Sequence, residues 1–146
     1  MIWKIITVGQ PALRWARDAV ADYEHRLARY TRVEMIHLRP AARPNLEAQM
    51  LKHAGDSRKI VLHETGRRLR SQELAQWVDH QQIQATRGIA LLIGGADGHS
   101  PELIRQADET WSLSDFTLQH EIALVVLMEQ IYRAHTILRG EPYHRE

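Results

Sequence analysis

The chain predicts an α/β domain with a mainly parallel sheet and helices on both faces, and three observations carry that expectation. Strand-like and helix-like patterns alternate from the first residue, the order that builds βαβ units. The run Ile89-Ala90-Leu91-Leu92-Ile93 is apolar without interruption, as a strand buried on both faces must be. It stops at Gly94-Gly95-Ala96-Asp97-Gly98. Glycines at the carboxyl end of a strand let a ligand or another segment touch main-chain N–H and C=O groups. On the glycines alone, a ligand crevice and a plain connection into the next element both stay open.

Taken in order, Ile2 to Val8 reads as the first strand, and Gly9-Gln10-Pro11 leads into a helix with proline in its first turn. Leu13, Ala16, Val20, Tyr23, Leu27 and Tyr30 recur at three- and four-residue intervals and form its core face. Val33 to Leu38 is a second strand. Pro40 and Pro44 bracket a flexible segment, and Leu46, Met50 and Leu51 mark a short helix ending near Gly55. Strand three is Lys59 to His63, followed by the turn Glu64-Thr65-Gly66. Ser71 is placed to cap a helix over Gln72 to Gln82, whose core face is Leu74, Trp77 and Val78. Strand four is Gly88 to Ile93. Ser100-Pro101-Glu102 starts a brief helix to Ala107, because proline suits the first helical position.

Thr110-Trp111-Ser112-Leu113-Ser114 again has strand character. The last helix, Ile122 to Leu138, is apolar nearly all round and must be covered on more than one side. In a chain of 146 residues, a second subunit is the expected cover, which points to a homodimer.

One core is expected for this length, which suffices to bury about two thirds of the unfolded surface. Hydrophobic residues make up 44% and charged residues 25%, ordinary for a globular domain and far from disorder. With no cysteine, disulfides, thiolate metal sites and cysteine nucleophiles are excluded, and a cytoplasmic setting is expected. The apolar part of the amino terminus is too short for a signal peptide, and no apolar run is long enough for a membrane span. The nine histidines show no paired helical spacing, so no metal site is expected. A net charge of +1 does not by itself announce nucleic-acid binding. Arg39, Arg43, Lys52, Arg58 and Lys59, then Arg67, Arg68 and Arg70, nevertheless make the middle of the chain basic.

The terminal Gly140-Glu141-Pro142-Tyr143-His144-Arg145-Glu146 has the position of a frayed end. Its composition offers more: a ring that can stack, a group titrating near neutrality and a guanidinium fork for phosphate. Leu91-Leu92-Ile93-Gly94-Gly95-Ala96-Asp97-Gly98, Trp111-Ser112-Leu113-Ser114, Thr117-Leu118-Gln119-His120, Glu129-Gln130-Ile131-Tyr132-Arg133-Ala134 and Pro142-Tyr143-His144-Arg145 resemble, in order and spacing, the RlmH family. That family comprises SPOUT-class methyltransferases acting on N3 of a pseudouridine in large-subunit ribosomal RNA.

The resemblance spans the chain and implies a single α/β-knot methyltransferase domain over 1–146. It also implies a carboxyl-terminal trefoil knot, which no periodicity could reveal, and a homodimer that engages ribosomal RNA. It places S-adenosylmethionine among three loops: Leu62; Gly94 and Gly95; and Leu113, Ser114, Asp115, Phe116, Thr117 and Leu118. Glycine permits the backbone approach there, and Leu113, Phe116 and Leu118 supply apolar walls. Methyl transfer from a sulfonium needs no metal, but the acceptor imide nitrogen must lose its proton. His144, Arg145 and Tyr143 are the catalytic candidates, reaching the partner subunit's cofactor, with His120 as second choice.

Three positions depart from the family pattern: Gln119 stands where proline is usual, Leu124 where an arginine is expected, and Ala96 where a proline is common. Two other readings remain. A ribosome- or RNA-binding module with the same fold and impaired catalysis is compatible with Gln119 and Leu124. A nucleotide-dependent oxidoreductase would read Gly94-Gly95 and Asp115 as a Rossmann fingerprint, but the glycine spacing and the position late in the chain are wrong for it.

Overall fold

The structure is a computed structural model that describes residues 1–145. Ten elements follow in order: β1 (Ile2–Val8), α1 (Arg14–Leu27), β2 (Arg32–Leu38), α2 (Arg43–Ala54), β3 (Arg58–Arg68), α3 (Ser71–Ile83), β4 (Gly88–Leu92), α4 (Pro101–Gln106), β5 (Glu109–Ser112) and α5 (His120–Leu138). The five strands form one parallel sheet in the order β2-β1-β4-β3-β5.

Alternation along the central strands divides the core in two. Ile5, Ile60, Ile89, Leu91 and Trp111 face one side with α1, α3 and α5, while Ile6, Val61, Ala90 and Leu92 face the other with α2 and α4. Every residue of β4 is buried, as its unbroken apolar run requires. On the three-helix side, α5 lies between α1 and α3. Sheet, α1 and α3 therefore cover most of it from within the chain. Its all-round apolarity does call for cover on several sides, but the partner subunit invoked above is not needed to supply most of it.

Local chemistry moves several boundaries. α1 starts at Arg14 with Leu13 as an uncapped N-cap, so Pro11 precedes the helix and Leu13 is exposed instead of joining the core face. Pro44 lies inside the first turn of α2, where its missing N–H costs no hydrogen bond; the flexible segment stops before it. Ser71 is the first helical residue of α3 and donates through Oγ to Gln130 Oε1 at 2.6 Å. The cap is Arg70, whose N–H reaches Glu73 at 2.7 Å in a capping-box arrangement. At α4 the expected cap forms, with Leu103 N–H donating to Ser100 Oγ at 3.2 Å.

Strand β3 does not end at His63. Leu62 pairs with Trp111, the chain leaves the ladder, and Arg67 returns to pair with the same Trp111. The excursion over 63–66 closes on a tight contact, since a Cβ on Gly66 would lie 2.5 Å from the Trp111 carbonyl carbon.

Two buried rings in this core pair with each other. Trp3 Nε1–H donates to His135 Nε2 at 3.2 Å, and His135 also lies parallel to Tyr30 at 5.9 Å. Burial, aided by the charge of Arg139, pushes the His135 imidazole down to about 4. In the unfolded chain it titrates near its ordinary value, about 6.5. The unfolded state therefore takes up the proton first as pH falls. The stabilisation from burying a neutral ring is complete above that value and is lost as pH falls toward the folded one, an effect on the order of 3 kcal/mol. Urea unfolding should show stability falling by about 2 kcal/mol between pH 7.5 and pH 5. His135→Gln, which keeps an acceptor for Trp3, should flatten that slope; an unchanged slope would assign the acid sensitivity to other groups.

Candidate active site

The adjacent strands β3 and β4 send their connections to opposite faces of the sheet, to α3 and α4 respectively. Where connections diverge in this way, a crevice opens beyond the carboxyl ends of the strands. Here it is a cleft of about 760 Å³. Its walls are the excursion after Leu62, the glycine turn after Ile93, and the segment from Ser112 to Leu118, closed by His120 and Ala123 at the start of α5.

The structure thus gathers all nine expected cofactor residues, Leu62, Gly94, Gly95, Leu113, Ser114, Asp115, Phe116, Thr117 and Leu118, around one cavity. The glycine turn is closed by Gly98 N–H donating to Gly95 O at 3.0 Å, with Gly98 at φ +66°, a conformation that L side chains resist. A Cβ on Gly94 would meet the Gly98 backbone at 3.1 Å, and one on Gly95 would touch Val8 at 3.4 Å. Helix α2 holds the turn from behind: Glu47 accepts from Ser100 N–H at 2.7 Å and from its hydroxyl, and Arg43 donates to Asp97 O at 3.4 Å. On the opposite wall, Ser114 Oγ accepts from Phe116 N–H at 2.9 Å, and Arg68 pairs with Asp115. Phe116 is 84% exposed. A large ring so placed is open to contact with a ligand or a second surface.

Three histidines that sequence reasoning had not given to the cofactor site line this cleft: His63, His99 and His120. His99 donates Nε2–H to Leu92 O at 3.0 Å, and burial lowers its pKa and keeps it neutral. Its Nδ1 is buried with no hydrogen-bond partner among the described residues. His120 belongs to the motif Thr117-Leu118-Gln119-His120, whereas only their places after β3 and β4 could have signalled His63 and His99. No group of three or more His, Asp or Glu among the described residues is arranged to hold a metal ion.

Two of the three departures from the family pattern have local explanations, and nothing in the structure explains Ala96. Gln119 caps α5, its side-chain oxygen accepting from Glu121 N–H at 2.9 Å and Ile122 N–H at 3.0 Å, which satisfies two of the donors a helix start leaves open. Leu124 is 4% exposed and belongs to the core, so an apolar side chain suits its place. Glu121 was not foreseen. It is buried and accepts from the backbone N–H of Ala12 and, at 3.2 Å, of Leu13. It thereby supplies from α5 the capping acceptor that α1 lacks and fixes the two helix starts side by side.

The tail lies elsewhere. Tyr143 packs edge-on against Tyr132 at 4.8 Å and donates to Glu129 at 3.2 Å. Arg133 stacks over the Tyr143 ring at 4.8 Å, pairs with Glu129 at 2.7 Å and donates to His144 Nδ1 at 3.2 Å. Burial first, then hydrogen bonding with Tyr23 and the nearby charge of Glu129, raises the Tyr143 phenol above its ordinary range. Tyr143 therefore stays protonated in this arrangement, as a donor to Glu129. Arg145 is exposed, and Glu146 lies outside the described residues. Arg133 stands about 20 Å along α5 from His120, at 1.5 Å per residue. Among the described residues, Tyr143, His144 and Arg145 do not line the cleft of their own subunit.

A parallel sheet with a crevice beyond its strand ends, at the switch point, defines an α/β protein whose ligand site lies there. Residues 1–144 match the family described as "Predicted SPOUT methyltransferase". A Deinococcus radiodurans protein called "Ribosomal RNA large subunit methyltransferase H" is 40% identical over 141 residues, covering 97% of both chains. A Thermus thermophilus protein of the same name is 42% identical over 145 residues, again with 97% of each covered. The fold is shared with a probable methylase family protein from Haemophilus influenzae, at TM-score 0.59, 10% identity and coverage of 99% of this chain and 70% of that one. It is shared also with a putative methylase family protein from Neisseria gonorrhoeae, at TM-score 0.58, 12% identity and coverage of 99% and 86%. The chain belongs to the SPOUT methyltransferase family, and its 40% identical relatives make the RlmH resemblance a family membership.

Proposed function

We propose that the protein transfers a methyl group from S-adenosylmethionine to N3 of a pseudouridine in large-subunit ribosomal RNA, as a cytoplasmic homodimer with one α/β-knot domain per subunit. The observation that carries this reading is the single cleft uniting the three loops. Its volume of about 760 Å³ suits one ligand of cofactor size, and its walls combine apolar side chains with accessible backbone. The glycine turn supports the same fit, because a Cβ at Gly94 would crowd it. When bound, the cofactor supplies a methyl group on a sulfonium with a good leaving group. The chain's own residues bind and orient: Leu62, Gly94, Gly95 and residues 113–118 hold the cofactor, and the tail meets the acceptor base. No helix among the described residues is long and apolar enough to cross a membrane.

The knot belongs to this proposal. The chain leaves β5 at the edge of the sheet, yet α5 lies inward of α3, between it and α1. We infer that on its way there the chain passes beneath the connection from β3 to α3, which would close a trefoil. The dimer has its own support. Leu13, Trp15 and Ile122 are exposed at the paired starts of α1 and α5, with Phe116 nearby in the chain, and such a patch suits burial by a second copy.

Calorimetry with S-adenosylhomocysteine, followed by methyl transfer to ribosomal particles lacking the modification, tests the reading. Binding and transfer are expected; binding without transfer would favour the RNA-binding module, whose support is the departures at Gln119 and Leu124. Gly94→Val should weaken S-adenosylhomocysteine binding by about 10-fold or more, since the added methyls press on the Gly98 backbone. Unchanged affinity would move the ligand away from the glycine turn.

A further inference from the structure

The excursion that interrupts β3 places a histidine in the cleft with its tautomer already set. His63 Nδ1 lies 2.8 Å from Thr65 Oγ1 and accepts from Thr65 N–H at 3.2 Å. An amide N–H only donates, so Nδ1 must present its lone pair. A neutral imidazole then carries its hydrogen on Nε2. That Nε2–H makes no hydrogen bond within the described residues, and the residue lines the cleft.

The surroundings select what this donor can read. Leu62 directly precedes His63, and Leu62 and Leu113 both pack against the core on this side of the cleft. Glu64 and Asp115 also line the cleft, Asp115 paired with Arg68, but Leu62 and Leu113 are the apolar neighbours of His63, and an apolar floor beside an N–H donor matches a neutral heterocycle and its sugar, whose acceptors carry no formal charge.

We propose that His63 contacts the bound cofactor, its Nε2–H donating to an acceptor on the nucleoside portion of S-adenosylmethionine. This rests on the reading that the cleft takes that cofactor. His63 thereby adds an N–H donor beside the apolar side chains of Leu62 and Leu113. The excursion, which looks like an irregularity of β3, is what turns the ring: if β3 ran straight from Leu62 to Arg67, the Thr65 latch would not form.

Two amides separate the ring's nitrogens. The glutamine amide of His63→Gln reaches where Nε2 stands and can still donate. The asparagine amide of His63→Asn reaches only the Nδ1 position, where its oxygen keeps an acceptor for Thr65. Calorimetry on the full chain with S-adenosylhomocysteine and with methylthioadenosine, which lacks the amino-acid end, reads both. His63→Gln should bind both probes within about threefold of the parent, and His63→Asn should lose about 10-fold for both, the loss expected for one neutral hydrogen bond.

Equal affinities for the two variants, whether both weakened or both unchanged, would overturn the Nε2 contact. A loss confined to S-adenosylhomocysteine would place the contact on the amino-acid end and overturn the nucleoside assignment. If the parent binds neither probe, the cofactor reading itself fails and takes this inference with it. Melting curves accompany each titration, and His63→Leu, which has no donor at all, repeats the comparison should the asparagine variant melt early.

Discussion

Gly66→Ala should lower the melting temperature by about 10 °C and loosen cofactor binding with it. The added methyl would sit 2.5 Å from the Trp111 carbonyl carbon and 2.7 Å from the Thr110 carbonyl carbon and the Trp111 nitrogen. All three are backbone atoms of a strand, and no rotamer change can move them aside. Overpacking of a rigid site commonly costs 1–3 kcal/mol, and a backbone-on-backbone contact belongs at the upper end, about 3 kcal/mol. A domain of this length loses roughly 2–4 °C per kcal/mol, which gives the expected shift. The damage should be local. Leu62 and Arg67 both register on Trp111, so forcing β5 away opens the wall that carries His63 and the segment after Ser112. Thermal unfolding and S-adenosylhomocysteine titration of one sample check both parts. A variant that melts like the parent would mean that the excursion has room to shift and that Gly66 does not fix the cleft.

That excursion also shows where reading the sequence stops. Strand-like pattern runs from Lys59 to His63, and Glu64-Thr65-Gly66 looks like a terminating turn, as composition dictates. That the chain comes back to the same residue of β5 depends on a close approach across strands, which leaves no local signature beyond one glycine. The buried run of β4 was legible because burial on both faces demands an unbroken apolar string, and the structure buries all five residues. For α5, the pattern required cover on several sides and could not say whose. The missing knowledge was spatial: α1 and α3 flank it, and Glu121 ties its start to that of α1. The three-loop cleft was legible through the family motifs, because each loop carries its own residues after its own strand. His63 escaped because its role depends on a hydrogen bond to Thr65, which only the folded turn creates.

His144→Ala should reduce methyl transfer by about 100-fold or more while leaving S-adenosylhomocysteine affinity within about twofold, the range expected for losing a positioned acid–base group. The geometry gives the reason for separating the two effects. His144 is held on α5 by Arg133, about 20 Å from His120 at 1.5 Å per residue, so it contributes nothing to the cofactor walls of its own subunit. Arg133 donates to Nδ1 and, having no acceptor, requires the imidazole to offer a lone pair there. Glu129 in turn fixes Arg133 and receives the Tyr143 hydroxyl. Tyr143 and His144 are thus oriented by a small network on α5, in which burial raises the Tyr143 phenol above its ordinary range. If the tail serves the partner's cleft, two defective chains should repair each other. In the proposed homodimer, mixing Gly94→Val subunits with His144→Ala subunits yields heterodimers in which one cleft is intact and faces an intact tail. Such mixtures should recover a substantial fraction of parental transfer, although neither variant alone does. A mixture as inactive as its components would place tail and cofactor on the same chain, and a His144→Ala protein that also fails to bind S-adenosylhomocysteine would make His144 part of the cofactor site.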